Sequence, residues 1–137
     1  MKKGFTLVEL MVVIVILSLI ALLGYSSIHA FRNNVKQNLW EEKTMMIEKA
    51  GVNYGEDNKN LLVGNCTIDG INYNNCINVD IQFLLDKGYI STLDKDDNGN
   101  RVVINDTLQY GDENYYVNNM RVNIYIKNNL VYAKLVN

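Results

Sequence analysis

From Phe5 to Gly24 the chain is apolar at almost every position, and beyond it Ile28, Phe31, Val35, Leu39, Met46 and Ala50 recur at spacings of three, four or twice that. The first run holds about 20 residues, which as a helix reach about 30 Å, the thickness of a bilayer's hydrocarbon core. The second pattern is an apolar stripe on one helical face, with Arg32, Lys36, Glu41, Glu42 and Lys43 marking the wet side. No proline occurs anywhere, so nothing forces a break before the Asn- and Gly-rich stretch from Asn53 to Asn58. The two patterns therefore predict one helix of about 50 residues, far beyond the globular mean of roughly 11–12.

The remainder reads as a small head. Ile81, Leu84 and Leu85 share a helical face in the run from Val79 to Ile90, with Gly88 as the stop. Arg101 to Ile104 reads as a strand, and Tyr115 to Val117 as another. Val122, Ile124 and Ile126 alternate with Arg121, Asn123, Tyr125 and Lys127, and Asn128-Asn129 turns the chain into a partner strand from Leu130 to Val136. The alternating tyrosines read as sheet packing. The fold class expected is α+β: a long N-terminal helix, half transmembrane and half packed on a head built around a small antiparallel sheet. Roughly 80 residues are near the lower limit for a self-sufficient core, so the second half of the helix must supply part of it.

Charge and cysteines add a compartment. Lys2 and Lys3 precede the apolar run and hold the N-terminus in the cytoplasm, which sends the rest of the chain across the membrane. A secretory signal peptide also starts this way, but Leu22-Leu23-Gly24-Tyr25-Ser26-Ser27 is a poor cleavage site, and such peptides seldom carry an early carboxylate. A net charge of −2 gives no basic surplus for nucleic acid. Cys66 and Cys76 enclose an Asn/Gly-rich loop in an exported domain, where a structural disulfide is expected.

Candidate chemistry is sparse. No phosphate loop and no Cys/His or Ser/His/Asp arrangement is present, and the one histidine, His29, lies near the membrane boundary. No enzymatic activity and no required cofactor are expected. Asp94-Lys95-Asp96-Asp97-Asn98-Gly99 reproduces the opening of an EF-hand loop, which makes Asp94, Asp96 and Asn98 calcium candidates. Asn105 stands where that loop needs a bidentate Glu, and a polar turn explains the same residues. Glu9 is the misplaced group. A carboxylate costs on the order of 2.5–3.5 kcal/mol at the centre of a membrane helix and less near its end. Thr6-Leu7-Val8-Glu9 fits a capping box, a local role; the alternative is a partner elsewhere.

Lys3-Gly4-Phe5-Thr6-Leu7-Val8-Glu9 resembles the class III leader of type IV prepilins and pseudopilins, and the resemblance is specific over roughly the first 25 residues. Leu85-Asp86-Lys87-Gly88-Tyr89-Ile90 resembles a turn of Gram-positive pilins, and the head's Asn, Lys, Ile and Tyr bias resembles proteins of clostridia. The resemblance implies that residues 1–4 are a leader, 5–28 a transmembrane and filament-core helix, 29–56 its amphipathic continuation and 57–137 the head. It implies a membrane-embedded prepilin peptidase that cuts between Gly4 and Phe5 and methylates the new Phe5 amine. It makes Glu9 the assembly residue, paired with that amine on a neighbouring subunit. Implied partners are copies of itself or other pilins, an assembly platform protein and an ATPase, with nucleic acid only as a filament ligand. The precursor would sit in the cytoplasmic membrane and the product in an extracellular filament. Ser26 and Ser18 stand where many pilins carry a proline and a helix-breaking glycine, so a major subunit and a minor pilin or pseudopilin both stay open.

Overall fold

The computed structural model describes residues 6–136. They divide into two compact units, the first ending at Gln37 and the second beginning at Asn38. Helix α1 spans Leu7–Asp57. Among the described residues of the first unit it is the one regular element, and its side chains are exposed: fourteen large apolar residues from Leu7 to Leu23 show between 44% and 75% of their surface. Among the described residues this is the one helix long and apolar enough to cross a membrane. Ser18 satisfies its own hydroxyl inside the helix by donating to the Ile14 carbonyl at 2.8 Å, the back-bonding available to a serine within a helix.

The second unit begins with the rest of α1 and continues through a 3-10 turn (Lys59–Leu61), strands β1 (Gly64–Ile68) and β2 (Ile71–Asp80), helix α2 (Ile81–Asp86), a long loop, and strands β3 (Arg121–Lys127) and β4 (Leu130–Val136). The strands form one antiparallel sheet in the order β1-β2-β3-β4. Both hairpins close on two residues at positive φ, Asp69-Gly70 and Asn128-Asn129. That is the turn geometry whose twist matches the flanking strands. One face of the sheet packs on α1: Ile47, Ala50 and Tyr54 join Val79, Val122, Ile124, Val131 and Leu135 in a buried cluster completed by Ile81, Leu84 and Leu85 of α2. Helix α2 ends in a Schellman motif, with Gly88 at φ 80°, its amide on the Leu85 carbonyl and that of Tyr89 on the Leu84 carbonyl. Its first amides, on Ile81 and Gln82, are satisfied by the carbonyls of Met120 and Asn118.

Four expectations need correction. The apolar stripe is buried only at its far end: Phe31 is 68% and Leu39 42% exposed, whereas Ala50 is 3% exposed. Val79 and Asp80 belong to strand β2, because their backbones pair with Val122 and Arg121. The segment between the cysteines is a hairpin, not a loop, with Cys66 opposite Tyr73 and Gly64 opposite Cys76. Arg101 to Ile104 and Tyr115 to Val117 form only isolated bridges, Lys95 with Arg101 and Ile104 with Tyr116. The reason is that Val102 and Val103 are both buried, so the segment does not alternate, and the Val103 amide is taken by the Asn118 side chain at 2.8 Å.

The helix meets the sheet through two glycines one turn apart. A Cβ on Gly55 would stand 2.6 Å from both Ile124 Cγ2 and Val131 Cγ1, and one on Gly51 2.8 Å from Ala133 Cβ. These side chains are short and β-branched or are alanine, so they have little room to rotate away. Gly55→Val is expected to lower head stability by roughly 2–3 kcal/mol through overpacking. The urea midpoint of the detergent-solubilised chain, followed through the fluorescence of its single tryptophan, Trp40, measures this; Gly24→Ala, with nothing within 4 Å of the added carbon, is the control and should leave the midpoint in place.

Candidate functional site

The first turn of α1 holds its acid in a definite arrangement. Thr6 donates to Glu9 Oε2 from its amide and from its hydroxyl, each at 2.9 Å. The Glu9 amide returns a bond to Thr6 Oγ1 at 3.3 Å, and the Leu10 amide reaches the Thr6 carbonyl at 3.2 Å. This is a capping box, which satisfies two of the helix's first amides and places a negative charge at the positive end of the helix dipole. Only one carboxylate oxygen is used. Glu9 Oε1 has no partner among the described residues, so the cap and an external partner do not compete for the same atom. Gly4 and Phe5, where the leader would be cut, lie outside the described residues.

Around Glu9 the surface is oily, with Leu10, Val12, Val13 and Leu17 all exposed. Leaving fourteen such side chains half exposed forgoes on the order of 20 kcal/mol of apolar transfer free energy, more than the whole stability of an ordinary domain, about 5–15 kcal/mol. The segment therefore requires an apolar partner. Further along the same unit, His29 Nε2 lies 3.3 Å from the Tyr25 hydroxyl, with the rings edge to face at 5.1 Å.

In the head, Cys66 and Cys76 are joined, with their Cα atoms 5.9 Å apart, ten residues along the chain. Cys76 is 2% exposed and lies opposite Tyr125 in the sheet. Tyr73, Tyr125 and Tyr132 form a ladder across three strands, with centroids 4.4 and 5.7 Å apart, which is sheet packing in the cross-strand sense. Burial and the neighbouring Tyr73 push the Tyr125 hydroxyl's pKa up.

Of the calcium candidates Asp94, Asp96 and Asn98, the two carboxylates have partners within the protein. Asp94 accepts from Lys43 Nζ at 3.1 Å, and the same ammonium lies 2.8 Å from Asp106 and donates to the Ile104 carbonyl at 3.1 Å. Burial opposes the charge on Lys43, but its bonds to Asp106 and Asp94 and the charges of both carboxylates outweigh this, and its pKa is raised. Lys43 thus clips both ends of the 94–106 segment to α1. Asp96 accepts from the amides of Asn98 and Asn100 and from the Asn100 side chain. The Asn100 bonds chiefly hold its carboxyl below the usual carboxylate range. Among the described residues no group of three or more His, Cys, Asp or Glu side chains is arranged to hold a metal.

The motif at the N-terminus is where comparison with known proteins is informative. Residues 1–25 match the family described as the prokaryotic N-terminal methylation motif. No curated protein and no solved structure matches the chain. The motif and the apolar helix behind it suit a membrane-anchored precursor. Together with the four-stranded antiparallel head they make an α+β, pilin-like architecture.

Proposed function

We propose that this chain is a type IV pilin-type filament subunit. A prepilin peptidase removes residues 1–4 and methylates Phe5; the apolar helix first anchors the subunit in the cytoplasmic membrane with the head outside, then passes into the core of a filament of like helices. Loss of Lys2 and Lys3 with the leader takes the net charge from −2 to −4. The observation that carries this reading is the coincidence of the methylation motif at 1–25 with a helix whose apolar surface is exposed on all sides. Such a surface suits lipid and neighbouring helices in turn, and cutting before it, rather than after, keeps it in the mature chain. Glu9 Oε1, which has no partner among the described residues, is the acceptor for the Phe5 amine of an adjacent subunit. An assembly ATPase and a platform protein supply the work. The reading assigns the chain no catalysis.

A scarce minor pilin or pseudopilin is the second reading, favoured by Ser18 and Ser26 at the positions where many pilins carry glycine and proline. An antibody to the head, applied to filaments sheared from cells, separates the two. Label along the shaft is the expected result and label confined to the tip supports the second reading; membrane-bound protein with no labelled filament would contradict both.

A further inference from the structure

The head contains a polar cleft of about 390 Å³ at the foot of α2, lined by Asp96, Asn100, Arg101, Tyr116, Asn118 and Asn119. The helix-anchored assembly described above makes no use of it. Its size lies within the range of small-ligand sites, and apart from Val102 its lining is polar or aromatic: amides, one carboxylate, one guanidinium and one aromatic ring. We propose that this cleft binds a neutral saccharide.

Part of the lining is fixed by the protein itself. The Asn118 amide donates to Gln82 Oε1 at 2.6 Å and to the Arg101 carbonyl at 3.2 Å, and its oxygen accepts from the Val103 amide. Asn100 is held by both oxygens of Asp96, to which its backbone and side-chain nitrogens donate at 2.8 and 3.0 Å. The other part is uncommitted. Among the described residues the Arg101 guanidinium, the Asn119 amide and the Tyr116 hydroxyl, all in the lining, make no hydrogen bond or ion pair. Fixed amides beside free donors and acceptors are what a ligand with many hydroxyls requires, since each hydroxyl both donates and accepts.

The aromatic part has its own support. Tyr116 packs edge to face on Tyr115 at 5.0 Å and faces Tyr110 at 6.4 Å. Tyr110 is tied down by a hydrogen bond to the Asp97 carboxylate, and that bond chiefly raises its pKa to about 12. A ring held this way offers an apolar surface for the C–H face of a sugar at little entropic cost. Charge decides among polar ligands. Within the lining Arg101 and Asp96 balance, and Asp97 stands beside Tyr110, so a polyanion gains no net attraction while a neutral chain loses none.

The test uses the full chain in alkyl-phosphocholine micelles, which contain no sugar, and follows its nitrogen-15 spectrum as maltotetraose, cellotetraose or chitotetraose is added. Tetragalacturonate and single-stranded oligothymidylate serve as anionic comparators. At least one neutral tetrasaccharide is expected to shift the side-chain amides of Asn100 and Asn119 saturably. Asn119→Ala and Tyr116→Ala should each weaken it roughly tenfold, with Tyr116→Phe weakening it less. Among the described residues neither the Asn119 side chain nor the Tyr116 hydroxyl holds the fold by a hydrogen bond, so the Trp40 unfolding midpoint of Asn119→Ala and Tyr116→Phe should be unchanged. A second groove lies elsewhere on the head, lined by Trp40, Glu41, Thr44, Met45, Glu48 and Lys134. The proposal is overturned if none of the three neutral sugars shifts the Asn100 and Asn119 signals, if the shifts map to that second groove, or if only an anionic comparator binds.

Discussion

Glu9→Gln is expected to leave the start of α1 and the amount of protein in the membrane unchanged, and to remove the chain from filaments. Glutamine serves a capping box as glutamate does, so the bonds between Thr6 and position 9 survive. What disappears is the charge. Removing one partner of a desolvated ion pair costs about 2–5 kcal/mol, or roughly thirtyfold to several-thousandfold in the affinity of a subunit for its neighbour. Glu9→Ala loses the cap as well, so glutamine is the cleaner substitution. Immunoblots of sheared filaments against whole membranes measure the effect. Filaments at the unaltered level from Glu9→Gln cells would reduce Glu9 to its capping role.

The second large effect lies in the head. Replacing Cys66 and Cys76 together by serine should lower head stability by about 3 kcal/mol, the chain-entropy value for a closed loop of this length. The bond ties edge strand β1 to β2, where the pairing shifts register between Gly64 and Cys66. Strand β1 contributes only Ile68 to the buried set, so few apolar contacts remain to hold it. Urea unfolding of the double variant, with the unaltered chain under reducing conditions as a second measurement, should show the same fall in midpoint. An unchanged midpoint in both would mean that the hairpin's own bonds suffice.

How much of this was legible in the sequence follows from how each segment meets water. The long helix was, because an unbroken apolar run without proline has few other solutions, and so was the β3–β4 hairpin, where one buried face gives clean alternation on either side of Asn128-Asn129. The β1–β2 hairpin was not. Its turn pair, Asp69-Gly70, is a strong signal, but Asn65, Thr67, Asn72, Asn74 and Asn75 flank it, and an edge strand that is mostly solvated carries no hydrophobic period. The spacing of the stripe on α1 extends further toward the N-terminus than its burial does, because spacing alone cannot distinguish a face that meets the head from one left for another partner. Gly51 and Gly55 carry no signal of their own for a related reason: a glycine in a helix reads as a weakness until the opposing Ile124, Val131 and Ala133 are known. For the candidate site, Glu9 stood out by its cost in an apolar segment, and the Thr6 pairing by its three-residue spacing. The polar cleft did not, since its lining comes from three separated segments that only the fold unites.

The central claim is that the chain is cut before its apolar helix and carried, helix included, into a filament. Mass spectrometry of the N-terminal peptide from filaments sheared off cells tests it most directly. The account predicts a chain that begins at Phe5 and bears one methyl group on its α-amine. A chain that begins at Met1 and is confined to membranes, or one cut beyond Gly24 and free in the medium, would contradict it.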